Sequence, residues 1–105
     1  LGENIADHGG LQVSYQAFKK ATAAAPLEVK DGFTPEQRFF LAYANVWANN
    51  TRPEAILQLT KIDVHSLGKW RVDAALPHIA AWYEAFGITE KDPMYVPVAE
   101  RVSIW

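Results

Sequence analysis

The sequence predicts an all-α fold that ends in an extended C-terminal tail. Apolar residues recur at intervals of three and four along several segments, and no stretch alternates long enough to predict a β-strand. Prolines and capping residues mark where the periodic segments begin and end. With 105 residues, 50% of them hydrophobic, the chain has the length and apolar content of one domain, or part of one, with a single core.

The first helix is predicted over residues 3 to 24. Its apolar face leads into an alanine-rich end and is carried by Leu11, Tyr15, Phe18 and Thr22. Pro26 stops the pattern, and residues 26 to 33 are predicted to form a loop. Gly9 and Gly10 lie inside this helix at a cost of about 1 kcal/mol each relative to alanine, so we expect a backbone or helix to pack closely there.

The second helix has the strongest start signal in the chain. Thr34 can cap it, Pro35 suits the first helical position, and Gln37 completes a capping box with Thr34. We expect this helix to run to about Asn49. Its broad apolar face predicts burial against other helices and consists of Phe39, Phe40, Tyr43, Val46 and Trp47.

Shorter helices are predicted for the rest of the chain. Thr51 and Glu54 repeat the capping-box spacing and predict a third helix, which is followed by a loop over residues 63 to 68. A fourth helix is indicated by the apolar residues Trp70, Val72, Ala75 and Leu76. Pro77 opens a fifth, Gly87 ends it, and its face consists of Ile79, Trp82, Tyr83 and Phe86. The tail, residues 93 to 105, contains two prolines and is predicted to be largely extended.

Composition narrows the functional classes. The net charge is −2 and the lysines and arginines are spread along the chain, so no basic stripe exists for a phosphate backbone and nucleic acid is a poor candidate partner. The absence of cysteine excludes disulfides and thiolate metal sites within this chain, but it does not indicate a compartment. The longest apolar stretches, such as residues 39 to 47, are too short to span a membrane.

Two carboxylates open the first helix. Glu3 and Asp7 are four residues apart, so their side chains lie next to each other on one helix face. One interpretation is that both carboxylates favour the positive end of the helix dipole. The other is that Glu3 is a metal ligand and Asp7 holds a neighbouring ligand in place, an arrangement common around zinc.

The run from Glu3 to Leu11, ENIADHGGL, resembles the motif that supplies the third zinc ligand in the neprilysin and endothelin-converting enzyme family. Further landmarks of that family follow in the same order and are Phe39-Phe40-Leu41, Val46-Trp47, Arg52-Pro53-Glu54, Asp63-Val64-His65-Ser66, Trp70-Arg71 and Trp105. The resemblance covers essentially the whole chain. The tail lacks the cysteine that animal members carry, which indicates a bacterial-type member.

The resemblance implies that the chain is the helical C-terminal part of a zincin-like metallopeptidase catalytic domain. It implies one zinc ion in the intact parent protein, bound by two histidines of an upstream His-Glu-x-x-His helix and by Glu3. Asp7 matches the residue that hydrogen-bonds a zinc-bound histidine. The upstream spacing does not occur among His8, His65 and His78, so we expect this piece alone to bind zinc weakly and to cleave no peptide.

Two residues match family groups that act on the substrate. His65 matches the histidine that stabilises the tetrahedral intermediate, and Arg71 matches the arginine that grips the peptide. Without the resemblance, His65 would be interpreted as a loop histidine and Arg71 as a surface arginine. Asp63 either orients the His65 imidazole or begins a turn.

Val46 and Trp47 match positions that line the pocket for the residue after the scissile bond. An apolar wall there would favour a bulky apolar side chain in the substrate. Helical spacing alone favours a simpler interpretation, in which both residues belong to the core.

The implied function is zinc-dependent peptide hydrolysis by the parent protein, which the family resemblance places outside the cytoplasm. Its partners would be peptide substrates and the upstream part of the same polypeptide. One rival hypothesis is an inactive peptide-binding or structural module of peptidase ancestry, and another is a generic helical interaction domain. Helices meant to pack on a missing lobe leave apolar faces open, so we also expect self-association through residues 39–47 or 82–86.

Overall fold

The computed structural model describes residues 2–63 and 65–104, and this part of the chain is helical. Its α-helices are α1 (Gly2–Thr22), α2 (Pro35–Val46), α3 (Pro53–Ile62), α4 (Gly68–Asp73) and α5 (Ala80–Phe86), with 3₁₀ helices at Leu76–His78 and Val98–Glu100. No strand occurs among the described residues, so the predicted all-α fold is confirmed. The family landmarks Val64 and Trp105 lie outside the described residues.

The capping signals of α2 and α3 have opposite outcomes. At α2 the capping box is confirmed, because Thr34 Oγ1 accepts from the Gln37 amide and Gln37 Oε1 accepts from the Thr34 amide. The capping box predicted from Thr51 and Glu54 is wrong. The residue that caps α3 is Arg52, which makes no side-chain capping bond, and the Thr51 hydroxyl donates to Asn49 Oδ1 at 3.3 Å instead.

A tight turn follows the end of α1, and a glycine ends α5. The loop after α1 closes on a tight turn in which Asp31 and Gly32 both have positive φ, with paired hydrogen bonds between Lys30 and Phe33. Gly87 has φ +62° and ends α5 in the left-handed conformation, as predicted. Gly9 is buried, but a Cβ at Gly10 would meet nothing within 4 Å, so the predicted close packing is wrong at Gly10.

The core forms where α1, α2 and α5 meet. Its buried members are Leu11, Phe40, Leu76, Ile79, Trp82 and Tyr83. Tyr15 stacks on Phe40 and meets Phe39 edge-on, so α1 and α2 are joined by aromatic contacts. The two faces expected to remain open for self-association contact each other in this core through Phe40 and Phe86, but Val46, at the end of the first face, stays 74% exposed. Self-association stays a prediction without an assigned surface.

The tail returns to the core rather than leaving it. Arg101 lies 3.7 Å above the Tyr83 ring and donates to the Val96 carbonyl, while the Val102 amide donates to His78 Nδ1 at 3.0 Å. Within the described residues 93–104, positions 93–94 lie in a turn and Val98–Glu100 form a 3₁₀ helix, so the prediction of a largely extended tail is confirmed outside these two turns. None of the described helices is both long and apolar enough to cross a lipid bilayer.

Candidate functional site

A cleft of about 740 Å³ opens between the end of α2, helix α3, the loop after it and the start of α4. The first turn of α1 closes one side of it. Among the predicted site residues, Glu3, Trp47, His65 and Arg71 line this cleft. Glu3 lies in α1 and Arg71 in α4, whereas Trp47 directly follows α2 and His65 lies in a loop, so the fold brings together residues that are distant in sequence.

Arg71 is the most buried of these residues, with 6% of its surface exposed. Its Nε donates to Asp7 Oδ2, and its Nη2 lies 3.6 Å from Glu3 Oε2. The Trp47 ring covers its guanidinium, with 4.4 Å from Cζ to the ring centroid. The hydrogen bond to Asp7 is the main cause that raises the pKa of Arg71. A buried cation is thus held by two acidic groups and an aromatic face.

The contact between Asp7 and Arg71 explains how the two acidic residues of α1 act together. Because Glu3 and Asp7 are one helical turn apart, both approach the same guanidinium on α4. Asp7 is mostly buried, whereas 57% of the Glu3 side chain is exposed. Asp7 therefore pairs with a buried charge, and Glu3 keeps its carboxylate open to the cleft.

Tyr43 also supports the candidate site, although the sequence pattern assigned it only to the apolar face of α2. Its hydroxyl donates to the Arg71 carbonyl at 3.0 Å, so it fixes the backbone that carries the guanidinium. Burial is the main cause that raises the pKa of the Tyr43 hydroxyl, which keeps it neutral and able to donate. The helical spacing of Tyr43 and Trp47, four residues apart on one face, is the signal that could have indicated a shared role.

His65 and Asp63 form a local pair at the mouth of the cleft. The Asp63 carboxylate accepts from the His65 amide at 2.9 Å and lies 3.0 Å from His65 Nδ1. These hydrogen bonds, the backbone one first, lower the pKa of Asp63. Since a carboxylate can only accept, Nδ1 carries the hydrogen and the opposite ring nitrogen, Nε2, is left for other partners. Both interpretations of Asp63 are thus combined, because it shapes the turn and orients the imidazole.

Val46 and Trp47 are separated by the end of α2. Trp47 is half-buried and lines the cleft beside Arg71. Val46 is 74% exposed and does not belong to the lining. In the described chain, neither residue belongs to the central core cluster.

The described residues can supply part of a metal site. No group of three His, Cys, Asp or Glu side chains that could hold a metal ion exists within residues 2–63 and 65–104. Glu3 fits the role of one ligand, because it is a carboxylate of the type zinc accepts and more than half of it is exposed at the cleft. Any further ligands would have to come from elsewhere in the polypeptide.

The family of the chain follows from comparison with known proteins. The model of Peptidase family M13 matches residues 1–102. The chain belongs to this family. The resemblance inferred from residues 3–11 and the later landmarks is therefore confirmed at the level of the family.

Relatives of this M13 chain include two human proteins. It is 40% identical to human membrane metallo-endopeptidase-like 1 and 35% identical to human neprilysin, in each case over 100% of this chain. Each alignment covers 14% of the relative, so the chain spans about a seventh of their length.

A solved structure shows the same fold. The zinc metalloprotease ZMP1 of Mycobacterium tuberculosis, in its open state, superposes with a TM-score of 0.92 at 34% identity. The match covers 99% of this M13 chain and 16% of that protein. The helical architecture is therefore that of a fragment of a zinc metalloprotease.

Proposed function

We propose that the protein containing this chain is a zinc-dependent endopeptidase and that this chain forms one wall of its active site. The observation that carries the proposal is the shared cleft, where Glu3, His65 and Arg71 lie together although they come from distant parts of the sequence. A carboxylate, an oriented imidazole and a buried guanidinium are the groups needed to hold a metal and a peptide.

Glu3 is proposed as one zinc ligand, completed by two histidines from upstream of this chain. When bound, zinc would activate water and polarise the peptide carbonyl. Asp7 is proposed to orient one of those histidines while its Oδ2 holds Arg71. One carboxylate would then connect the metal side of the site to the substrate side.

His65 and Arg71 are proposed to contact the substrate. With its Nδ1–H directed to Asp63, a protonated His65 would donate from Nε2 to the oxygen on which negative charge develops. Arg71 would donate to a carbonyl oxygen of the peptide, using donors not engaged by Asp7. Its position is fixed in advance by Asp7, Trp47 and Tyr43, so little ordering is needed when substrate binds.

Substrate preference is proposed to be for a bulky apolar side chain after the scissile bond. Trp47 supplies an apolar wall beside Arg71 in the cleft. Val46, exposed at the end of α2, would join this wall when the remainder of the polypeptide covers it. We further propose that this chain alone is inactive and that the intact protein is exported.

A non-catalytic peptide-binding module of M13 ancestry is the second candidate. The Arg71–Trp47 pair favours it, because a fixed guanidinium on an aromatic face can hold a peptide without any metal chemistry. This module would bind peptides through the cleft and leave them intact.

Cleavage mapping with the intact protein separates the two candidates. Peptides that differ only in the residue after one bond, Phe, Leu, Ala or Asp, are incubated with the protein and the products are identified by mass spectrometry. The proposal expects hydrolysis before Phe and Leu and loss of that activity with a chelator. Peptides that bind but remain uncut would favour the binding module, and cleavage before Asp as fast as before Phe would contradict the proposed specificity.

A further inference from the structure

We propose that Gly68 is a positioning residue for Arg71. Because Gly68 has no side chain, the first turn of α4 can lie close to Trp47, and this close approach places the Arg71 guanidinium. The inference rests on the proposed function and extends it to a residue that has no side chain of its own to offer the site.

The first turn of α4 lies against the end of α2. A Cβ at Gly68 would be 2.7 Å from the Trp47 carbonyl oxygen and 3.2 Å from Asn49 Nδ2. The first distance is shorter than real Cβ contacts allow, and a backbone oxygen cannot rotate away as a side chain can. Any residue other than glycine would therefore push α4 away from Trp47.

Gly68 and Arg71 occupy the same face of α4, because they are three residues apart. Trp47 contacts both of them, with its carbonyl against Gly68 and its ring 4.4 Å from the Arg71 guanidinium carbon. Moving the first turn of α4 outward would lift Arg71 from the Trp47 ring and strain its hydrogen bond to Asp7.

Backbone conformation does not explain this glycine. The described glycines with positive φ are Gly32 and Gly87, whereas Gly68 has helical geometry that alanine adopts more readily. Helix propensity alone would favour alanine at this position. Close approach to Trp47 is the physical reason for glycine here.

The test compares Gly68→Ala with Gly87→Ala in the intact protein. Gly87 has φ +62°, a backbone conformation that alanine adopts only with strain, and a Cβ there would meet nothing within 4 Å. Gly87→Ala therefore perturbs the end of a helix without affecting the cleft. The inference expects Gly68→Ala to raise KM for a cleaved peptide about tenfold or more with a smaller change in kcat. Gly87→Ala should leave KM unchanged.

A double variant shows whether Gly68 acts through Arg71. If it does, Gly68→Ala combined with Arg71→Ala should be no more impaired than Arg71→Ala alone. Losses that multiply, an unchanged KM in Gly68→Ala, or failure of that variant to fold would each overturn the inference.

A crystal structure of the intact Gly68→Ala protein keeps this inference separate from the proposed function. The inference expects the Arg71 guanidinium to have moved off the Trp47 ring, whether or not the unmodified protein cleaves peptides. An unmoved guanidinium would overturn the inference while leaving peptidase activity in place. An unmodified protein without hydrolysis would contradict the proposed function alone.

Discussion

Arg71 on α4 is hydrogen-bonded to Asp7 on α1. This bond links α1, which carries the proposed zinc ligand Glu3, to α4, which carries the proposed substrate-binding residue Arg71. The guanidinium is buried against Trp47, and the Asp7 carboxylate is mostly buried as well. The stability of a charge pair that is buried away from water depends strongly on both partners, because a buried charge that has lost its partner costs free energy.

Asp7→Asn is therefore expected to destabilise the protein by about 3 kcal/mol, since it removes the hydrogen-bonded counter-charge of a buried guanidinium and leaves only the more distant and more exposed Glu3 carboxylate. The measurement is urea unfolding of the intact protein followed by tryptophan fluorescence. Glu36→Gln is the matched control, because it removes a carboxylate from the exposed pair with Lys19, which should cost much less. Equal losses in the two variants would show that the Asp7–Arg71 pair is not specially stabilising.

Asp63→Asn is expected to lower kcat roughly tenfold with little change in KM. The variant replaces the charged carboxylate that orients the His65 ring with a neutral amide, which holds the ring less firmly. Steady-state hydrolysis by the intact protein measures this effect. Asp31→Asn serves as the control, since Asp31 lies in an exposed turn with φ 55° that asparagine tolerates. A normal kcat in Asp63→Asn would mean that His65 is either correctly oriented without Asp63 or not used.

The pH dependence of the Asp63 contact follows from the lowered pKa of Asp63. Its ionised form is stabilised by hydrogen bonds from His65, so the contact is complete above the ordinary aspartate pKa of about 4. It is lost only as the pH falls through the still lower folded-state pKa. Titration of Asp63 therefore contributes nothing to activity changes above about pH 5.

His8 is expected to make the protein less stable in mild acid. It is buried in α1 beside His78, and burial first, then His78, lowers the pKa of His8. In the unfolded chain His8 binds its proton at about pH 6.5, so the unfolded state takes up more protons below that pH. The stability from neutral His8 is complete above about pH 6.5 and is lost as the pH falls through the folded-state pKa.

Unfolding free energies measured between about pH 7.5 and pH 5 check this expectation. The unmodified protein should lose stability over that range, and His8→Gln should show a smaller loss. His65→Gln is the control, because it removes a histidine whose side chain is exposed. An unchanged slope in His8→Gln would contradict the role of His8.

Local signals in the sequence predicted most of the fold. The Thr34–Gln37 box and Gly87 act through neighbouring residues, so their effects can be inferred without tertiary structure. The capping box predicted for α3 was wrong because the Thr51 hydroxyl bonds to Asn49, a competing local partner that spacing does not reveal.

The sequence predicted less of the candidate site than of the fold. Family resemblance was the basis for the roles predicted for Glu3, His65 and Arg71. That these residues share one cleft depends on packing between segments that are distant in the sequence. The Asp7–Arg71 bond and the approach of Gly68 to Trp47 are long-range contacts, which periodicity cannot predict.

Zinc content and peptide hydrolysis of the intact protein, measured beside Glu3→Ala, test whether Glu3 is a zinc ligand of a working endopeptidase. Glu90→Ala is the matched control, because it removes an exposed carboxylate outside the cleft. We predict one zinc per molecule and hydrolysis in the unmodified protein and in Glu90→Ala, with loss of both in Glu3→Ala. Zinc and activity that survive in Glu3→Ala would contradict the claim and leave Glu3 as a carboxylate that opens a helix.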